Sequence, residues 1–253
     1  MEPFNLDNYI MHHITNSNVW KLPFLPDISL PAPLSVHALM LVICATILGI
    51  LFGRLYNKRQ LVPRRLTNAL EALVLFVRDE IAIAYLGEKD GRRMTPFFCT
   101  LFFFILGLNL MGLIPLFSTA TSNINVTAAL AFITLTIMTA GTVVKSGAKG
   151  FWKALKPSGV PVAVLFLLIP IEVAGLFIKA CALTIRLFAN MLAGHIVILS
   201  LLGLIVLMGM SALPALLLAL FIYILEILVA FLQAYIFTLL SAMFIGQMHH
   251  PEH

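Results

Sequence analysis

Residues 171–195 read IEVAGLFIKACALTIRLFANMLAGH, and what this stretch tolerates decides the fold. It is apolar enough to lie in lipid, yet it carries Glu172, Lys179, Arg186, Asn190 and His195. Ionisable groups at bilayer depth are costly and mark pathways for ions or protons. Arg186 is the sharpest case, because a guanidinium stays protonated at any working pH and cannot shed its charge on burial. Apolar residues continue for many positions on both sides of it. That argues against a side chain snorkelling from a helix end.

Spacing adds to this. Glu172, Lys179 and Arg186 are seven apart, so on a helix they fall on one slowly drifting stripe. Asn190 lies one turn beyond Arg186 on the same face. No acid stands three or four residues from Arg186. Glu172 is fourteen residues away, roughly 21 Å along a helix. The counter-charge for Arg186 must therefore come from another segment or another chain.

Working outward, the 253 residues are 61% hydrophobic and only 11% charged, with a mean hydropathy of +1.03. A water-soluble domain does not have this composition. The apolar runs are long and do not alternate, which favours helices over a barrel. The net charge of +5 is not a nucleic-acid signature, since the basic residues cluster between apolar runs. Cys44, Cys99 and Cys181 sit in separate apolar segments without CxxC spacing, so core packing is expected for all three. The N-terminus is acidic and shows no basic leader region.

Four stretches follow along the chain. Residues 1–33, punctuated by Pro3, Pro23, Pro26, Pro31 and Pro33, predict an extended or short-helical head outside the hydrocarbon. His12 and His13 are adjacent and point to different faces with no third ligand near, so no metal is expected. Residues 34–93 hold a first span, Leu34–Tyr56, closed by Arg54, Lys58, Arg59, Arg64 and Arg65. By the positive-inside rule that end faces the cytoplasm or its equivalent, with the N-terminus outside. Leu66–Leu86 then shows helical spacing with an apolar face and a polar face, the pattern of an amphipathic helix along the membrane surface. The alternative is the same helix packed on protein. Gly87–Arg93 reads as a polar turn.

Residues 94–157 predict a transmembrane hairpin. Its first arm, Pro96–Pro115, holds one amide, Asn109. The loop Leu116–Asn125 has no Lys or Arg, and Lys145, Lys149, Lys153 and Lys156 mark the inside again after Val126–Val144. Residues 158–253 stay apolar almost throughout. Were Val162–Ser200 one helix, it would be roughly 58 Å long, against a hydrocarbon core about 30 Å thick. It must tilt, kink at Pro170 or break. Pro214–Gln247 poses the same problem, with the turn expected around Gly203, Gly209 and Pro214. The fold class is thus an all-α polytopic membrane protein. It has about five membrane-embedded helices plus one amphipathic surface helix, the last two long and steeply tilted.

In the last helix Glu226 and Gln233 are seven apart, with Tyr223 and Ala230 on the same side. Antiparallel helices would let Glu226 meet His195 near the outside end, as a proton-relay set. A buried hydrogen-bonded pair with no transport role is the plainer alternative. Small residues, among them Ala182, Ala189, Ala193 and Gly194, would let another helix approach closely.

Residues 184–195, TIRLFANMLAGH, resemble the signature of subunit a of the F-type ATP synthases, the membrane stator beside a rotating c-ring. LNLMGLIP at 108–115, SNINVTAALA at 122–131 and EILVAFLQAYIF at 226–237 extend the resemblance over most of the chain from about residue 34. The resemblance implies that Arg186 is the stator arginine that separates two half-channels and meets a ring carboxylate. It implies that His195 and Glu226 line the outside half-channel, in the reverse order to many relatives, which hold the acid first. Asn109, Asn190 and Gln233 match amides of the same path, and Glu172 an acid at the inside exit. Lys179 receives no part beyond balancing Glu172. The implied partners are c-ring subunits, peripheral-stalk b-type subunits, the rest of the F1Fo complex and the lipid bilayer, with no nucleic acid and no cofactor. The implied place is an energy-transducing membrane, a bacterial inner membrane before a mitochondrial one. The chain itself has no GxxxxGK[ST] nucleotide loop, so any ATP chemistry lies elsewhere. A stand-alone ion-coupled transporter or channel is the alternative, but the internal repeat it predicts is not visible.

Overall fold

The apolar runs become helices, with punctuation where the backbone needs it. The computed structural model describes residues 19–20, 28–29, 31, 35–55, 65–114, 117–155, 162–209 and 213–249. Most of the N-terminal head, with His12 and His13, lies outside the described residues, as do Lys58, Arg59, Arg64 and Lys156. Within the head, β1 (Val19–Trp20) pairs antiparallel with β2 (Ile28–Ser29). The other elements among the described residues are helical: α1 Val36–Leu55, α2 Arg65–Phe76 running into a π-helical segment Val77–Ile83, α3 Ala84–Leu113, a short 3-10 turn Ala120–Ser122, α4 Ile124–Ala154, α5 Val162–Met208 and α6 Leu213–His249. Among the described residues, five helical stretches are long and apolar enough to cross a membrane. The chain is an all-α polytopic membrane protein, because helices satisfy every backbone group without water.

Local chemistry sets several boundaries. Ser35 caps α1, its Oγ accepting from the Ala38 amide at 3.3 Å. Gly87, with φ 76°, breaks the helix between Leu86 and Glu88, a conformation that favours glycine. The expected polar turn Gly87–Arg93 is thus one residue long. Glu88–Arg93 form the first turns of the next helical segment, where Arg92 donates to Glu88 at 2.9 Å. Gly91 permits the tight return, since a Cβ there would stand 2.7 Å from the Ala82 carbonyl oxygen. The final turn also differs from expectation. Gly203 stays buried within α5, and the break falls at Gly209, φ 58°. Pro170 lies inside α5 without ending it, leaving one carbonyl without its helical donor. At 47 and 37 residues, α5 and α6 are about 70 and 55 Å long, too long to stand upright in ~30 Å of hydrocarbon.

The chain forms two compact units. The first comprises residues 1–56, 103–126 and 186–234, the second 57–102, 127–185 and 235–253. In the first, Val36, Met40 and Cys44 of α1 pack with Leu108, Met111 and Ala120. Gly107 makes room for the Cys44 sulfur, 2.8 Å from where a Cβ would stand. In the second, the apolar face of the amphipathic segment is covered by protein over its last turns: Val77, Ile81, Ala82 and Leu86 are all buried. Phe76 contacts the Tyr235 ring at 5.6 Å between centroids. The packed reading therefore holds for that end of the helix. Threonines of α4 return their hydroxyls to carbonyls four residues back, as at Thr139 and Thr142 (2.9 and 2.7 Å), so these hydroxyls are paired without leaving the helix. The three cysteines do not share one role: Cys44 is buried, Cys99 half-buried and Cys181 exposed on α5.

Candidate functional site

Arg186 lies in α5 on an exposed surface. Among the described residues no hydrogen bond, ion pair or ring contact reaches its guanidinium. Its own helix offers no acid within a turn, and no other described segment supplies one. Ala189 and Ala193, one and two turns on, are exposed on the same helix. Their small side chains leave the approach to Arg186 low and unobstructed.

Nine residues on, His195 is held on both ring nitrogens. Nδ1 lies 2.9 Å from the Met191 carbonyl oxygen, one turn back on its own helix. Nε2 lies 2.9 Å from the Gly112 carbonyl oxygen and 2.7 Å from the Thr119 hydroxyl. Gly112 is available because it sits in the last turn of α3, whose final carbonyls have no helical donor. The neighbouring orphan, Leu113 O, accepts from the Tyr223 hydroxyl at 3.2 Å. The Met111 carbonyl takes the Ile114 amide at 3.1 Å. One helix end thus collects an imidazole and a phenol.

On α6, Glu226, Ala230 and Gln233 are buried along one face, as their spacing predicted. The Asn109 amide donates to the Ala230 carbonyl at 3.4 Å, one turn from both Glu226 and Gln233. The Glu226 carboxyl occupies the space where Gly194 would carry a side chain, so a Cβ on Gly194 would overlap it. Glu226 therefore lies against the residue next to His195. No hydrogen bond or ion pair joins the two side chains, and the expected direct meeting of Glu226 and His195 is replaced by this stacking on Gly194. Buried atoms with no partner from the described residues include Asn109 Oδ1, Asn190 Nδ2, Glu226 Oε1 and Gln233 Nε2. Such groups call for a partner, and where the chain gives none, water can serve.

Glu172 and Lys179 belong to the second unit. Glu172 is exposed. Lys179 does not balance it. Its ammonium donates to Gln247 at 3.0 Å and stands 5.1 Å from the Phe244 ring centre, because a lysine stem reaches a neighbouring helix more easily than two turns along its own. Among the described residues no group of three His, Cys, Asp or Glu could hold a metal. Sequence reasoning passed over Thr119 and Gly112, and read Gly194 only as a small residue for the approach of another helix. The polar run STATS at 118–122, in so apolar a chain, was the available signal, but it read only as a loop.

A family model described as ATP synthase A chain matches residues 37–246. Proteins named ATP synthase subunit a share the sequence closely: 49% identity over 223 residues in Anaeromyxobacter dehalogenans strain 2CP-C, covering 85% of this chain and 58% of that protein. In Myxococcus xanthus it is 45% over 244 residues, covering 92% and 80%. In Chloroherpeton thalassium it is 44% over 268 residues, covering 100% and 79%. The chain spans a little over half the length of the Anaeromyxobacter relatives, 58% and 56% of two of them. With the family model matched over most of its residues, the chain belongs to the ATP synthase A chain family.

Proposed function

We propose that the chain is the proton-translocating stator subunit of an F-type ATP synthase, forming two offset half-channels against a c-ring and coupling proton flow to ring rotation. One observation carries the reading: a permanent cation stands exposed on an apolar helix, with no partner among the described residues of its own chain. Such a group needs an anion delivered in trans. A ring carboxylate carried past Arg186 would be drawn into its ionised form, and the guanidinium would bar a direct proton leak.

On the outside, His195 and Glu226 hand protons to the ring, with Asn109, Asn190 and Gln233 keeping the path polar. Protons leave on the inside near Glu172. Each charge that crosses 100 mV releases about 2.3 kcal/mol, which rotation delivers to nucleotide sites on other subunits. Partners are the c-ring, b-type stalk subunits and the remaining complex. The membrane is a bacterial inner membrane, with the N-terminus outside and the basic loops inside. The test is Arg186→Ala in the assembled complex in sealed vesicles. ATP-driven proton pumping should fall to background while the complex still assembles. Retained pumping would refute the role.

A further inference from the structure

We propose that Thr119 is a positioning residue for proton transfer at His195: its hydroxyl reverses direction as the imidazole gains and loses a proton. The inference rests on the proposed role of His195 and concerns how that role is made possible.

Three oxygens surround the two ring nitrogens. Nδ1 faces only the Met191 carbonyl, at 2.9 Å. A carbonyl accepts and cannot donate, so Nδ1 carries its hydrogen in either charge state. Nε2 faces the Gly112 carbonyl at 2.9 Å and the Thr119 hydroxyl at 2.7 Å. When the ring is neutral, Nε2 has a lone pair that Gly112 cannot satisfy. Only the Thr119 hydroxyl can donate to it. When the ring is charged, Nε2 has a hydrogen to give, and both the Gly112 oxygen and the Thr119 oxygen can accept. The Thr119 hydroxyl hydrogen then turns toward the Gly112 carbonyl, 3.5 Å away. Uptake adds one proton and one charge at Nε2 and breaks no bond in Thr119; release reverses both. Neither state leaves a ring nitrogen unpaired, whereas without the hydroxyl the neutral ring would present a half-buried lone pair to a carbonyl.

The placement is built into the backbone. Thr119 is 3% exposed and precedes the short turn Ala120–Ser122, whose last residue donates its hydroxyl back to the Thr119 carbonyl at 2.7 Å. Gly112 has no side chain where Thr119 lies across it. A Cβ there would stand 2.9 Å from the Thr119 methyl carbon and 3.2 Å from its hydroxyl oxygen.

The experiment uses the assembled complex in sealed vesicles and reads ATP-driven proton pumping, normalised to assembled complex. Thr119→Val keeps the shape and removes the hydroxyl; pumping should drop about tenfold. Thr119→Ser keeps the hydroxyl and should stay within about twofold. Should the valine variant fail to assemble, Gly112→Ala supplies the second route. It should lower pumping by pushing Thr119 aside, and Gly112→Ala/Thr119→Ser, which removes the clashing methyl, should recover it. Pumping by the valine variant at the unaltered rate, equal loss in the valine and serine variants, or no recovery in the double variant would overturn the proposal. His195→Ala in the same assay separates the two readings. Full pumping by that variant would sink the role of His195 itself. Its loss beside an active Thr119→Val variant would sink only the role of the hydroxyl.

Discussion

The two units of the molecule hold their polar groups differently. In the second, several charged groups at or near the surface are paired: Lys145 bonds Asp90 at 2.5 Å, Arg92 bonds Glu88 at 2.9 Å, and Lys179 bonds Gln247 at 3.0 Å. In the first, Asn109, Thr121, Asn190, Glu226 and Gln233 each bury a polar atom with no partner among the described residues, and so does His37 through Nε2. An unpaired buried donor or acceptor costs about 1–3 kcal/mol. A unit that retains several of them, beside an unpaired arginine, has not been optimised for stability. On the proposed function, the difference separates framework from path: the surface pairs of the second unit are framework, and the unpaired buried atoms of the first are where protons or water would pass.

The largest effect should come from removing the orphaned acid. Glu226→Leu replaces a buried carboxyl with an apolar group of similar reach. Proton pumping should fall about 100-fold or more, while thermal stability of the purified chain in detergent stays level or rises. Those opposite signs are the signature of a group kept for function. A variant that loses stability and pumping together would mean that Glu226 is structural, and the contrast between the units would fail at its strongest point.

An intermediate effect is expected at Gly194. The Glu226 carboxyl fills the space over this glycine, so Gly194→Ala must displace it. The displaced carboxyl leaves its position beside His195, and pumping should fall about tenfold. Overpacking should also cost about 1–3 kcal/mol of stability. Gly175 is a control in the same helix, since a Cβ there meets nothing within 4 Å. Gly175→Ala should leave pumping unaltered. Equal behaviour of the two variants would show that the contact with Glu226 is not what matters at Gly194.

How much of this was legible beforehand follows from the range of each signal. Composition and the length of apolar runs gave the helices, because burying backbone in lipid leaves few alternatives. That Arg186 has no partner on its own helix was readable, since helical spacing fixes which side chains of that helix can reach it; that no other described segment supplies one was not. The burial of Glu226, Ala230 and Gln233 along one face was readable for the same reason. The cradle of His195 was not. It is built from Thr119 and Gly112, which lie 76 and 83 residues earlier in the chain, and from a carbonyl left free only because α3 ends there. The position of Glu226 depends on an absent side chain at Gly194, and absences carry no periodicity. Lys179 was misread because spacing along one helix says nothing of Gln247 on another. The turn at Gly87 was placed correctly but drawn too long, since Glu88–Arg93 are polar enough for a loop and helical enough for a first turn.

The smallest effect is expected where the second unit is best paired. Lys145 and Asp90 are linked at 2.5 Å, with side chains 33% and 26% exposed. A partly solvated pair of this kind contributes about 0.2–1 kcal/mol, less at high salt. Lys145 also donates to the His249 carbonyl at 3.5 Å, so Asp90→Asn leaves that contact and an oxygen able to accept from Lys145. Thermal denaturation in detergent should shift by a degree or two, the shift should shrink as salt is raised, and pumping should stay within about twofold. The measurement matters because it probes the quiet half of the comparison. If Asp90→Asn assembled normally yet stopped pumping, the ion pairs of the second unit would be part of the conducting machinery, and pairing could no longer be used to tell framework from path.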